Sequence, residues 1–319
     1  MLFRYLSHIL TEYLVCNLFK IKMTDCYICN QHIVNQLKHL SQFIFIQMGS
    51  GITCSLIIST YNWPQALELC LMSVLNQTQL PNEIIISDDG STKETKNLID
   101  SFRTKTKIPI QHIWHEDEGF QLAKIRNKSI VAANYEYIIQ IDADIILHSC
   151  FIEDHLGIAE ECCFITGSRT LLSNELSKVV LDNKIIKFGS YIKGGKNFLN
   201  GLRNITLRNY FSTRYKIAGK NKFDVKGCNM SFWKKDLLAV NGYDEQYSGW
   251  GREDSDLAIR LINNGVKKKY LKMGGIEYHI YHREAERSNL EENTLKMNNS
   301  IVQNIKWAVD GINKYLSNA

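Results

Sequence analysis

Residues 137–147 read YIIQIDADIIL, an apolar run broken only by Gln140 and by two aspartates, Asp142 and Asp144, one residue apart. A run this rich in isoleucine and bounded by polar sequence suits a strand buried on both faces of a parallel sheet. Side chains alternate along a strand, so Asp142 and Asp144 are expected on one side, where the strand runs out. Open α/β sheets hold their ligands there, beyond the carboxyl ends of the strands. Two carboxylates facing one space repel, and one takes up a proton unless a cation is shared between them. A hard divalent ion with oxygen ligands, completed by substrate phosphates, suits the pair. An aspartate-rich turn closing a strand would explain the same residues without a ligand, so the neighbours decide.

Outward from this run the chain alternates strand-like and helix-like stretches from residue 52 on, the mark of βαβ units. Residues 53–60 are an apolar strand, Pro64 opens a helix running to Leu75, and 83–87 are a second strand ending in Asp88-Asp89-Gly90-Ser91. Residues 93–103 are helical, 110–114 form a third strand, and 120–133 form a helix carrying Lys124, Arg126 and Lys128. Strands joined by single helices lie parallel with right-handed crossovers. The fold class is α/β, a mostly parallel central sheet flanked by helices. Asp88 and Asp89 have two readings: they close a turn that Ser91 or Thr92 continues into a helix cap, or they accept hydrogen bonds from a base or ribose. Arg126 and Lys124 are solvated helix residues or partners of a phosphate. Neither G-x-G-x-x-G nor G-x-x-x-x-G-K follows the first strand, which argues against a dinucleotide oxidoreductase or an NTPase.

The chain has 319 residues, 45% hydrophobic, with three prolines, enough for a sizeable core. Its net charge of +5 is spread out rather than grouped beside aromatics, so no nucleic-acid partner is expected. An anionic small ligand or an anionic membrane surface is compatible with it. Nine cysteines, several inside apparent strands and helices (Cys54, Cys70, Cys228), fit a reducing, cytoplasmic compartment. Cys26, Cys29, His32 and His39 resemble half a zinc site, but without a second cysteine pair free thiols are the simpler reading. No apolar run reaches the roughly 20 residues a membrane span needs. A soluble or peripheral protein is expected. Residues 6–21 look amphipathic and, with a basic patch at 267–269, offer a route to peripheral contact at the inner face of a membrane.

The organisation expected is an N-terminal extension over 1–47, helical or outside the core, and a nucleotide-binding α/β half over 48–167. A loop-rich, glycine-punctuated insertion over 168–222 follows, then an acceptor-side catalytic half over 223–285 and a helical tail over 286–319. Within the fourth part, residues 224–233 read as a strand and short helix, and 252–263 as a helix ended by Gly265. Glu253, Asp254 and Asp256 fall in that helix's first turn, where its dipole favours negative charge, and Asp256 can pair with Arg260. The dipole does not account for Gly249-Trp250-Gly251 beside them. Glycines let the backbone approach a ligand, and an indole offers a flat face to a sugar ring. A carboxylate beside such a platform is a candidate general base for a hydroxyl.

Taken together, SLIISTYNWPQALELCLMSVLNQT (55–78), SDDGST (87–92), IDAD (141–144) and GYDEQYSGWGREDSDLAIRL (242–261) resemble family 2 glycosyltransferases of the GT-A fold. The last segment is similar to the C-terminal domain of galactosyl- and N-acetylgalactosaminyltransferases, including bacterial chondroitin polymerases. The resemblance covers about residues 52–283. It implies a GT-A nucleotide-diphospho-sugar transferase fold and inverting transfer of a sugar, galactose or N-acetylgalactosamine type, from a UDP-sugar to a hydroxyl of a glycan or lipid-linked glycan. By the same resemblance Thr60, Tyr61 and Asp88, with Asp89, meet the uridine, and Arg126 in AKIRN lies near the base or diphosphate. Asp142 touches ribose or metal, and Asp144 ligates Mn2+ or Mg2+. Asp254 is the base, with Glu253 and Trp250 on the acceptor or sugar. The late metal-ligand histidine falls in YHIYHRE, where His282 matches better than His279. Strand alternation sets these two histidines on opposite faces, so one alone is expected to face the metal. Two rival functions are a nucleotidyltransferase, whose glycine- and arginine-rich signature STYNWPQ lacks, and a non-catalytic nucleotide-sugar or carbohydrate-binding module, which would bind without turnover.

Overall fold

β-Branched side chains pack well on a pleated surface, and the isoleucine-rich runs become the buried centre of the fold. Strands β1 (Cys54–Thr60), β2 (Glu83–Asp88), β3 (Ile110–Trp114) and β4 (Tyr137–Asp142) are joined by helices α1 (Pro64–Leu75), α2 (Lys93–Arg103) and α3 (Leu122–Ala132). The computed structural model describes residues 51–189, 195–213, 222–283 and 286–316. The expected extension over 1–47, with its amphipathic stretch and its Cys26/Cys29 pair, lies outside the described residues.

The 137–147 run is not one strand. β4 stops at Asp142, the chain turns at Ala143 and Asp144, and β5 (Ile145–Leu147) enters a second sheet. Two tertiary hydrogen bonds set the break: Ala143 N donates to Ser59 O at 2.8 Å, and Ile280 N donates to Asp144 O at 2.9 Å. The alternation expected to align Asp142 and Asp144 therefore does not run through them.

Beyond β5 come α4 (Phe151–Leu156), β6 (Cys163–Thr166), β7 (Thr170–Leu172), α5 (Asn174–Asp182), β8 (Gly195–Lys196), α6 (Ile205–Ser212), β9 (Met230–Trp233) and α7 (Lys234–Ala239). The chain continues through α8 (Glu253–Asn263), β10 (Lys267–Tyr270), β11 (Glu277–His279), α9 (Leu290–Val302) and α10 (Asn313–Leu316). The large sheet has the order β10-β6-β9-β4-β1-β2-β3, parallel throughout except for β9. The small sheet has the order β5-β11-β7-β8. Strand alternation splits the core in two: Leu56, Ile58, Ile84, Ile86, Ile139 and Ile141 face one apolar layer, and Ile57, Ile85 and Ile138 face the other, with α3 and α8.

Three stretches differ from their compositional reading. Residues 168–222 carry β7, α5, β8 and α6, with Ser173 and Asn204 accepting cap hydrogen bonds from Leu176 N and Leu207 N. Glycine and polar residues hid this order, which is anchored from outside: Asp154, fully buried, pairs with Arg203 and Arg208 and accepts from Gly275 N. Within 224–233 the strand begins only at Met230. The basic patch at 267–269 is the edge strand β10. Lys268 and Lys269 are buried, their ammonium groups donating to Asp224 O and to Glu160, so it presents no continuous basic surface to a membrane. Among the described residues no helix is long and apolar enough to cross a membrane.

Candidate active site

Strand register builds the site. Thr60 lies opposite Asp88, Ser59 opposite Asp142, and Asp88 opposite Trp114, so the carboxyl ends of β1, β2, β3 and β4 finish in one layer. β9 runs the other way, with Gln140 opposite Met230, so the residues just before it, Lys226 to Asn229, arrive at this same edge. The edge is where ligands of α/β sheets bind.

Arg126, on α3, sits at its centre and is 1% exposed. Its Nη2 donates to Asp142 Oδ1 at 2.9 Å, its Nη1 to Asp254 Oδ1 at 2.8 Å, and its Nε to Ser59 Oγ at 3.2 Å. Glu253 Oε1 stands 3.9 Å from Nη1. Burial alone would pull the guanidinium pKa down, and the carboxylates, Asp254 foremost, more than reverse this. Three of the five N–H donors of Arg126, which the resemblance sets near the base or diphosphate, are thus engaged inside the protein, joining carboxylates more than a hundred residues apart in the chain.

Burial pushes Asp142 up to about 6, opposed by Arg126 and reinforced by Asp144 and Asp254. The repulsion the paired aspartates imply contributes, but less than burial does. Burial, then the Asp254 charge, pushes Glu253 up to about 8, so this carboxyl is protonated at neutral pH. Its Oε2 is buried and has no hydrogen-bond partner among the described residues.

Asp144 faces two histidines. Its Oδ2 is 2.9 Å from His282 Nε2 and 3.3 Å from His279 Nε2, and one ligand atom from each residue lies within 4.8 Å of the others. The expectation that only one histidine faces the site is corrected. β11 ends at His279, and the chain bends at Ile280 toward Asp144, so strand alternation no longer governs His282. The hydrogen bond with Asp144 raises the His282 pKa, while burial lowers that of His279. Asp144 Oδ1 is buried with no partner among the described residues. A carboxylate oxygen left bare beside two imidazoles fits a divalent cation with mixed oxygen and nitrogen ligands.

The residues assigned to the uridine divide into two groups. Asp88 is fully buried, accepting from Ser91 N at 2.8 Å and pairing with His112 Nε2 at 2.8 Å. Asp89 pairs with His115 Nε2 at 2.7 Å and accepts from Gln121 N at 2.9 Å. Both are engaged within the protein, and neither Ser91 nor Thr92 caps α2 by its side chain; Thr92 N donates instead to Asn62 Oδ1. Gly90, at φ +97°, allows this close fit, since a Cβ there would come within 2.6 Å of the Asp117 backbone. Thr60 is buried with Oγ1 unpartnered among the described residues, and Tyr61 is exposed, its hydroxyl donating to Asp117 Oδ2 at 2.9 Å. Trp250 is exposed between Gly249 and Gly251, with the Arg287 guanidinium 4.8 Å over its ring.

Four supporting residues carried no sequence assignment: Ser59, Gln140, Tyr243 and Gly227. The Tyr243 hydroxyl lies 3.1 Å from Asp254 Oδ1 and 2.9 Å from Gln140 Oε1, and Gln140 Nε2 donates to Gly227 O at 2.9 Å. A Cβ at residue 227 would stand 1.9 Å from Asp254 Oδ2. An isolated glycine ahead of a strand was the available signal for such a close approach. Gly227→Ala is expected to displace Asp254, lowering stability by about 1–3 kcal/mol and removing most turnover while nucleotide binding persists. Urea unfolding and a turnover assay on one sample check this.

Comparisons with known proteins bear on the family and the fold. The family model described as glycosyl transferase family 2 matches residues 55–238, and one described as the N-terminal domain of galactosyltransferase matches 211–283. Chondroitin synthase of Escherichia coli is 24% identical over 244 residues, covering 70% of this chain and 34% of that protein. The chain thus spans about a third of the length of this relative. The structure of S. aureus TarS 1-349 in complex with UDP-GlcNAc superposes with a TM-score of 0.56 at 15% identity, over 82% of this chain and 68% of the other. Mannosyltransferase PcManGT from Pyrobaculum calidifontis, in complex with GDP-Man and Mn2+, gives 0.54 at 13% identity over 85% and 74%. The structural likenesses establish the GT-A architecture, and since the first family model takes in more than half of the sequence, the chain belongs to glycosyl transferase family 2.

Proposed function

We propose that the chain is an inverting glycosyltransferase domain that moves a galactose- or N-acetylgalactosamine-type sugar from a UDP-sugar to a hydroxyl of a glycan or lipid-linked glycan, with a divalent cation, Mn2+ or Mg2+, in attendance. One observation carries the reading: a single buried guanidinium holds both Asp142, at the carboxyl end of β4, and Asp254, at the start of α8, which supports reading them as the donor-side and acceptor-side carboxylates of one site. The complexes of the two structural neighbours, one with UDP-GlcNAc and one with GDP-Man and Mn2+, support a nucleotide-sugar donor. The chondroitin synthase relative supports a glycan product.

Asp144, His282 and His279 would hold the cation, which when bound supplies a positive charge for the departing diphosphate. Asp254 would accept the proton of the attacking hydroxyl. Tyr243 and the Gly227 backbone fix its carboxylate, so little reorganisation is left for the reaction itself. Glu253, protonated at neutral pH, is no competing base there. It has a proton to donate to a substrate oxygen instead. Trp250, backed by Arg287, offers its free face to a sugar ring. Thr60 and Tyr61 would rim the nucleoside pocket, with Asp88 and Asp89 shaping its wall from behind.

Incubation with a panel of UDP-sugars, an oligosaccharide acceptor mixture and Mn2+, followed by measurement of released UDP, tests the reading. Release that exceeds a no-enzyme control supports it, and tight UDP binding with no release on any donor would favour a binding module. For Asp144→Ala, Mn2+-dependent UDP affinity is expected to fall by more than the roughly 10–100-fold that loss of an outer partner of a metal ligand costs. Calorimetric titration with and without chelator reads this directly.

A further inference from the structure

The well-buried arginines around the site have carboxylate partners: Arg126 holds Asp142 and Asp254, Arg208 holds Asp154, and Arg260 holds Asp256. Arg169 has none. Half-buried on the short link between β6 and β7, its guanidinium makes one hydrogen bond among the described residues, from Nη1 to Cys228 Sγ at 3.7 Å. A thiol sulfur is a weak acceptor, so most of the five N–H donors of a guanidinium find no protein acceptor here. A half-buried guanidinium with open donors is suited to an anionic ligand that supplies further acceptors.

The position says which anion. β7 runs parallel to β11 with Thr170 opposite Tyr278 and Leu171 opposite His279. Extending that register by one residue sets Arg169 beside Glu277, and residues two apart on a strand share a face. Arg169 therefore lies on the side from which His279 points at Asp144. Cys228 confirms the placement, since its thiol donates to Glu277 Oε1 at 3.1 Å while Sγ accepts from Arg169. The Arg169 charge reaches Asp144, His279 and His282. An anion drawn to the cation site would thus meet this guanidinium as well.

We propose that Arg169 is the side chain that grips the diphosphate of the nucleotide-sugar donor, by a two-pronged hydrogen bond to the distal phosphate, in the place sequence motifs give to Arg126. The inference rests on the nucleotide-sugar reading above and deepens it. Arg126 is enclosed, with three of its five N–H donors already committed to Ser59, Asp254 and Asp142. A guanidinium matches the planar spread of phosphate oxygens, and the fork distinguishes it from a lysine in the same place.

The test is titration of the full chain with UDP and with UMP, both in Mn2+, for the wild type, Arg169→Ala and Arg169→Lys. Arg169→Ala is expected to weaken UDP roughly ten- to a hundredfold while UMP, which lacks the distal phosphate, changes little. Arg169→Lys, keeping charge but not the fork, should fall between. If the wild type binds UDP and both variants bind it as tightly, the assignment of Arg169 is overturned and the donor reading stands. Loss of UDP and UMP by one common factor in both variants also overturns it, because that is the mark of a structural role. A wild type that binds neither nucleotide overturns the donor reading itself, and this inference with it.

Discussion

Arg126→Met is expected to lower the stability of the fold by about 3–5 kcal/mol, the range for removing one partner of a buried charge cluster. Methionine fills similar space but returns no donor to Asp142 Oδ1, Asp254 Oδ1 or Ser59 Oγ, which Arg126 reaches at 2.9, 2.8 and 3.2 Å. The carboxyls left behind would have to take up protons to remain inside. The loss should therefore be largest at neutral and higher pH and shrink as the solution is acidified through the range where Asp142, already displaced to about 6, protonates. Arg126→Lys should recover only part, because one ammonium cannot span two carboxylates as the fork does. Urea unfolding at several pH values measures all of this. A loss under about 1 kcal/mol across that range would mean that the acidic cluster is held by something other than this arginine.

Asp254→Asn is expected to leave UDP affinity within about threefold and to cut transfer by roughly 10²–10⁴, the usual contribution of a positioned base. The substitution is isosteric, so Arg126 and Tyr243 retain an oxygen to meet at Oδ1. What disappears is the ability to accept a proton. Glu253 is a poorer base at neutral pH because burial, the larger cause of its raised pKa, persists when the substitution removes the Asp254 charge. Any residual transfer that climbs with pH as Glu253 ionises would identify Glu253 as the base of the variant. Unchanged transfer at pH 7 would remove Asp254 from the chemistry. Calorimetry for UDP and a UDP-release assay separate these outcomes.

The elements that periodicity and punctuation define were legible in advance. Residues 93–103 are helical because their apolar side chains fall on one stripe, and Pro64 and Gly265 mark a start and an end that depend only on local backbone. The candidate site was legible as a set of residues but less so as a geometry. The break after Asp142 depends on a hydrogen bond to Ser59 O, far away in the chain. His279 and His282 converge because the strand ends between them, which no alternation rule foresees. Arg126 reads as a phosphate ligand until its neighbours are known, and the decisive one, Asp254, lies 128 residues further on. Gly227 offered a signal, a lone glycine ahead of a strand, whereas Arg169 sits in no motif and becomes visible only through the pairing of β7 with β11 that brings it toward His279.

The end of the chain bears on how far this protein can be trimmed. Family matches stop at residue 283, but the bracing behind Arg126 continues to α10. Asn127, next to Arg126, donates to Tyr243 O and Glu245 Oε1, and Glu245 in turn is held by Tyr315 and Lys314. Ile312 is fully buried, and Asn241 binds Ala308 O and Asn313 Oδ1. A fragment excised at the matched boundaries would keep every residue assigned a chemical role yet saw through the buttress behind them. A fragment meant to keep this bracing therefore has to reach at least to Tyr315.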